Sequence, residues 1–220
     1  MASPTRPGAE DGSNAASRTL DPATRALCRA LAYATVGRQG ELEPIYRQSL
    51  SDGIPISDLR EGALCAHLYA GVPRAIEAFR ALRAAAGEGW PDREPKPPID
   101  RRSAGIQLFD RVYGRHAAPV RDMLRGFEPA FENVVLEDAY GRILAREALS
   151  PRRRELMAVT ALAAGRLPRQ LDSHLRGALA LGATRNEVSD AIDVAAEVGA
   201  PDAIEEARDR FERLAPAPQE

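Results

Sequence analysis

The stretch LSPRRREL, residues 149–156, opens a helix, and LDPATRAL, residues 20–27, opens another in the same way. Asp21-Pro22 and Ser150-Pro151 each place an oxygen-bearing N-cap before a proline at the first helical position. The likeness runs on at an offset of 128 or 129. VGR (36–38) matches AGR (164–166), Leu42 matches Leu171, RQSLSDG (47–53) lies under RGALALG (176–182), and GVPRAIEAFR (71–80) lies under GAPDAIEEAR (199–208). A period this long is not a solenoid. It predicts a duplicated helical unit in one chain, four short helices per half. Gly37 and Gly165 mark the ends of the first helices, and Gly53 and Gly182 those of the second. Ser57 starts the third helix of the first half. Its counterpart opens on a capping box, Thr184 with Glu187. Gly71-Val72-Pro73 and Gly199-Ala200-Pro201 each end one helix and start the next.

Between the halves, GEGWPDREPKPPID (87–100) holds four prolines and reads as a linker. The expected organisation is therefore a polar tail (1–19), a trimmed first unit (20–86), the linker (87–100), a full second unit (101–214) and a short tail (215–220). Residues 101–148 add two or three helices to the second unit. The fold class expected is all-α, in keeping with forty alanines among 220 residues.

Composition narrows the function. Thirty basic residues face 32 acidic ones, so the net charge of -2 offers no general attraction to nucleic acid. Lys96 is the sole lysine and lies in the proline-rich stretch, which discounts Schiff-base chemistry. No apolar run approaches the ~20 residues of a membrane span, and residues 1–19 have no apolar signal segment. Cys28 and Cys65 are 37 residues apart, neither a CxxC nor a metal-ligand set, and read as small buried hydrophobes. A cytoplasmic protein without membrane or nucleic-acid partners is expected. His67 and His116 belong to no motif.

The chemistry points to Glu155 and His174. With a hairpin turn around 165–167, the two lie ~15 and ~9 Å from the turn on facing helices and can approach. His174 shares its face with Leu171, Leu175 and Ala178. A carboxylate beside an imidazole fixes the tautomer and favours the charged form, which makes a cofactor-free acid/base pair. A histidine on an apolar face is more often a core residue. Here the internal comparison decides: Ala26 and Ile45 stand at the matching positions, so the fold does not require the pair. Arg25/Arg154, Arg38/Arg166 and Arg47/Arg176 recur in both halves and read as structural contacts. Arg152, Arg153 and Arg169 occur only in the second half and are the candidates to hold an anionic substrate.

Residues 101–214 resemble the carboxymuconolactone decarboxylase family, which shares its all-helical fold with alkylhydroperoxidase D. The resemblance rests on AYG (139–141), LSPRRREL (149–156), LAAGR (162–166), HLRGALALGAT (174–184), Glu187-Val188 and GAP (199–201). Residues 20–83 resemble a degenerate second copy. The peroxidase branch carries a CxxC four residues before the histidine; those positions here are Leu167 and Gln170, so thiol peroxidase chemistry is disfavoured. The resemblance implies a lyase-like enzyme acting on a small cyclic carboxylate without metal or organic cofactor, in a homotrimer of two-repeat chains. A non-catalytic scaffold or small-molecule-binding member is the alternative. The family's Tyr-x-Gly stands as Tyr69-Ala70-Gly71 in the first half. It is replaced by Glu197-Val198-Gly199 in the second, which alters a wall that often lines the pocket.

Overall fold

A computed structural model describes residues 19–90 and 100–214. The expected tails, and most of the expected linker, lie outside the described residues. Within them every regular element is helical. Helix α1 (Pro22–Val36) is capped by Asp21, whose carboxylate accepts from Thr24 N at 2.9 Å, and stops at Gly37 in the left-handed region. A short 3₁₀ turn leads into α2 (Leu42–Ser51). Helix α3 (Ile56–Ala86) is two limbs joined at Gly71, whose φ of 80° and ψ of 170° no helix contains. Its start is Ile56 behind Pro55. Ser57, expected to open it, instead hydrogen-bonds the neighbouring Asp58 carboxylate.

The second half begins with α4 (Arg101–Tyr113), capped by Asp100, and α5 (Ala117–Phe127). Next comes α6 (Pro129–Asn133), which passes directly into a π-helical stretch, Val134–Leu144. Helix α7 (Pro151–Ala164) is capped by Ser150 and α8 (Pro168–Ala180) begins on its own proline. Helix α9 (Arg185–Ala195) carries the expected capping box at Thr184 and Glu187, and α10 (Pro201–Leu214) closes the chain. The turn after α7 differs from that after α1: the left-handed residue is Arg166, with φ 59°, not Gly165. Gly165 serves a close approach instead, since a Cβ there would lie 3.1 Å from Thr35 Cγ2 of α1.

Helix α7 is the axis of the molecule. Every residue from Arg154 to Ala164 is buried, packed between α1, α8 and α9. An amphipathic surface helix would leave one side polar; α7 is apolar almost all round because neighbours cover every side. Leu27 and Leu31 of α1, Leu59 and Ala63 of α3, and Leu156 to Ala164 of α7 belong to one continuous core. A second cluster, built on Phe109, Leu136 and Tyr140, joins α4 to the π-helix. These two elements touch backbone to backbone: a Cβ on Gly105 would lie 1.8 Å from the Leu136 carbonyl oxygen, and one on Gly141 would lie 2.0 Å from that of Arg101. Only glycine at both positions permits this crossing, and it holds Tyr113 and Tyr140 side by side.

Candidate active site

Glu155 stands in the first turns of α7 and His174 in the middle of α8, and the two helices form the hairpin the spacing predicts. His174 Nδ1 donates to Glu155 Oε2 at 2.8 Å. Both are buried, the carboxyl at 2% and the imidazole at 8% exposure. A carboxylate this deep needs a donor, and the bond fixes the ring with Nδ1 protonated and Nε2 left to exchange a proton. Gly177, one turn beyond His174, makes room for the carboxylate. A Cβ there would come within 2.6 Å of Glu155 Oε2 and 2.8 Å of Val112 Cγ1.

Three tyrosines surround the pair, and sequence reasoning did not single them out as site residues. The ring of Tyr69 meets His174 edge-on, with centroids 6.2 Å apart. Tyr113 stacks on Phe109 at 4.2 Å, and Tyr140 packs edge-on against Phe109 at 4.9 Å. Burial pushes all three phenols up, Tyr69 and Tyr140 strongly, and the Glu155 charge adds to it. At neutral pH they are therefore uncharged donors. The Tyr140 hydroxyl is buried and faces that of Tyr113. Tyr69 comes from the first half. Its Tyr-x-Gly supplies the aromatic wall that Glu197-Val198-Gly199 lacks, and this answers the altered wall noted in the sequence. The signal was present in Tyr69-Ala70-Gly71, but only the packing of α3 onto α7 and α8 shows which histidine it serves.

The arginines expected to hold an anion fare differently. Arg152 is paired with Glu187, the capping residue of α9. Arg153 reaches Asp21 at 3.1 Å and Asp58 at 3.4 Å, bridging α1 and α3. Both guanidiniums are thus paired with carboxylates of neighbouring helices. Arg169 is exposed in the first turn of α8, one turn before Ser173 on the same face. Of the recurring arginines, Arg154 is structural as read. It donates to Glu61 Oε2 at 2.8 Å and to the Arg146 carbonyl at 3.0 Å.

Both thiols lie in the core. Burial pushes Cys28 up to about 12 and raises Cys65 as well. Thiolate at Cys28 is then ~10⁻⁵ of the total at neutral pH. Native protein should therefore react with an aromatic disulfide reagent orders of magnitude more slowly than unfolded protein, and alkylation under native conditions should spare any activity. Rapid labelling of a folded sample with loss of activity would instead favour thiol chemistry. Among the described residues, no three His, Cys, Asp or Glu side chains gather to hold a metal ion, and no helix is long and apolar enough to cross a membrane.

Residues 133–212 match the sequence model of the carboxymuconolactone decarboxylase family. This segment contains Tyr140, Glu155 and His174. The chain is also similar to Peroxisomal protein 2 of Schizosaccharomyces pombe. The two are 28% identical over 185 residues, covering 81% of this chain and 87% of the relative.

Proposed function

We propose that the protein is a cofactor-free acid/base enzyme of the carboxymuconolactone decarboxylase family, whose sequence model residues 133–212 match, and that it acts on a small cyclic carboxylate. The observation that carries this reading is the buried 2.8 Å bond between Glu155 and His174, with Leu167 and Gln170 where thiol chemistry would need cysteines. In a decarboxylation the bond between ring carbon and carboxylate breaks. Its electron pair passes into the ring as an enolate, and CO2 leaves. His174, with Nδ1 held by Glu155, delivers a proton from Nε2 to carbon. The phenols of Tyr69, Tyr113 and Tyr140, the last of them buried, offer neutral O–H donors near the developing negative charge. Proton transfer alone, without loss of CO2, would use the same groups.

The test is CO2 release and proton exchange on a panel of carboxylated lactones and cyclic enoic acids, with wild-type protein and the His174 variants described below. Turnover that depends on His174 supports the reading. Absence of both CO2 release and exchange across the panel overturns it in favour of a non-catalytic binding or scaffold member. Two buried, unbridged thiols fit a reducing compartment such as the cytoplasm.

The chain is also proposed to be a duplicated unit, and to self-associate as a homotrimer. Val72 and Ile76 on α3, and Met123, Phe127, Phe131 and Val134 on α5, α6 and the π-helix, are large apolar side chains about half or more exposed, more than an isolated chain of this size favours. Light scattering should give three times the mass of one chain, and a concentration-independent monomer would contradict it.

A further inference from the structure

A cleft of about 160 Å³ opens between α4 and α8, lined by Val112, Tyr113, His116, Val120, Ser173 and Arg176. We propose that this cleft is the carboxylate-holding mouth of the site. It takes a small organic monoanion, with the carboxylate on Arg176 and Ser173 and the apolar ring against Val112, Tyr113 and Val120. The inference rests on the acid/base reading above and names where its substrate is held.

Three observations carry it. The first is that the cleft shares two walls with the buried pair. Val112 and Glu155 both border Gly177, and Tyr113 stands in the field of the Glu155 carboxylate; Ser173 precedes His174 in the chain. The second is that the cleft's polar rim is cationic. Arg115 Nε donates to His116 Nε2 at 3.3 Å, so a second guanidinium stands behind that imidazole. The third is the state of Arg176. In α2, Arg47 is paired with Glu43 four residues before it. The same spacing in α8 sets Asp172 before Arg176, but the Asp172 carboxylate is taken by Arg210 of α10 at 2.8 Å. Arg176 is left with the Asp172 carbonyl at 3.5 Å and no carboxylate among the described residues. The pairing that satisfies Arg47 is diverted at Arg176, and the freed guanidinium borders a cleft with an apolar floor. The volume lies below the ~300–1,000 Å³ of sites for larger ligands, so the occupant is a single small ring. A planar guanidinium beside a hydroxyl suits a carboxylate.

The chain has only three histidines, so their ring C–H signals in NMR resolve the question. Benzoate is the probe, and benzamide its uncharged control. Benzoate should shift the His116 signal saturably and leave that of His67, exposed on α3, in place. Arg176→Gln should weaken benzoate at least ~10-fold, Ser173→Ala less, and the surface control Arg38→Gln not at all. Benzamide should bind weakly to every variant alike. The proposal is overturned if benzoate leaves His116 unmoved up to about 20 mM, if His67 moves equally, or if Arg176→Gln binds as wild type does. His174→Gln should keep benzoate affinity within about twofold, because the imidazole acts on the ring and not on the held carboxylate. Failure of the mouth is read in binding and failure of the acid/base pair in turnover, so each is visible without the other.

Discussion

Replacing His174 with alanine should lower turnover of a cyclic carboxylate by ~10²–10⁴-fold, the usual worth of a positioned general acid or base. The loss should appear in kcat and leave KM nearly unchanged, because the imidazole acts on the reacting carbon rather than on the bound carboxylate. Alanine also leaves Glu155, 2% exposed, without its donor, and a buried carboxylate without a partner destabilises the fold. His174→Gln removes this ambiguity: its amide can donate to Glu155 while providing no acid at neutral pH. Both variants should be inactive, with the glutamine variant nearer to wild type in stability. Glu155→Gln keeps shape and a hydrogen bond but not the charge that stabilises the imidazolium, so its loss should be smaller. The double variant should be little worse than His174→Gln alone, since the two groups act as a unit. Ile45 occupies the matching position in the first half and is buried. Ile45→Ala should cost ~2–4 kcal/mol of stability and no chemistry. Turnover by His174→Gln within twofold of wild type would refute the assignment.

The pair was legible because it depends on local rules. Caps at Asp21, Ser150 and Thr184, and the prolines after the first two, fix where the helices begin, and a hairpin then leaves Glu155 and His174 little choice but to face each other. The tyrosines were not legible. Tyr69 reaches His174 only because α3 packs across α7, and no local signal announces which helix crosses which. The π-helix at Val134–Leu144 was invisible for a related reason. Its sequence has ordinary helical composition, and its close crossing with α4 at Gly105 and Gly141 is a contact between distant segments. The arginines show the same limit. Arg152 and Arg153 stood out as present in one half only, but ion pairs are made between helices, and Glu187, Asp21 and Asp58 claimed both. Arg176 was read as structural because Arg47 matches it. What separates the two is Arg210, 34 residues on in another helix.

Glu61→Gln should be the most damaging single change to stability. Glu61 is buried on α3 and takes Arg146 Nε at 2.9 and 3.0 Å and Arg154 Nη2 at 2.8 Å. Arg154 is 1% exposed and Arg146 5%. One carboxylate therefore answers two buried guanidiniums, and glutamine keeps one acceptor oxygen but not the charge. Removing the charged partner of a buried pair costs ~3–5 kcal/mol, because the remaining charge stays desolvated. For a chain of this size each kcal/mol moves Tm by ~2–4 °C, so a fall of roughly 6–20 °C is expected. Urea denaturation should show it as a lower midpoint with an unchanged slope. A loss under ~1 kcal/mol would mean that water reaches the guanidiniums. Replacing Arg146 by methionine in the same chain should return part of the loss, since one of the two guanidiniums that Glu61 held is then gone. The effect extends to the site. Glu61, Cys65 and Tyr69 are spaced four apart and share a face of α3. Glu61 holds Arg154, Cys65 lies 3.5 Å from Arg154 Nη1, and Tyr69 meets His174. Loosening the first rung should free the third, so Glu61→Gln should also lower kcat at temperatures where the protein is still folded. Tyr69→Phe, which keeps the ring and the anchor, should not reproduce the loss of stability. In this chain α3 thus places Tyr69 against His174 of α8.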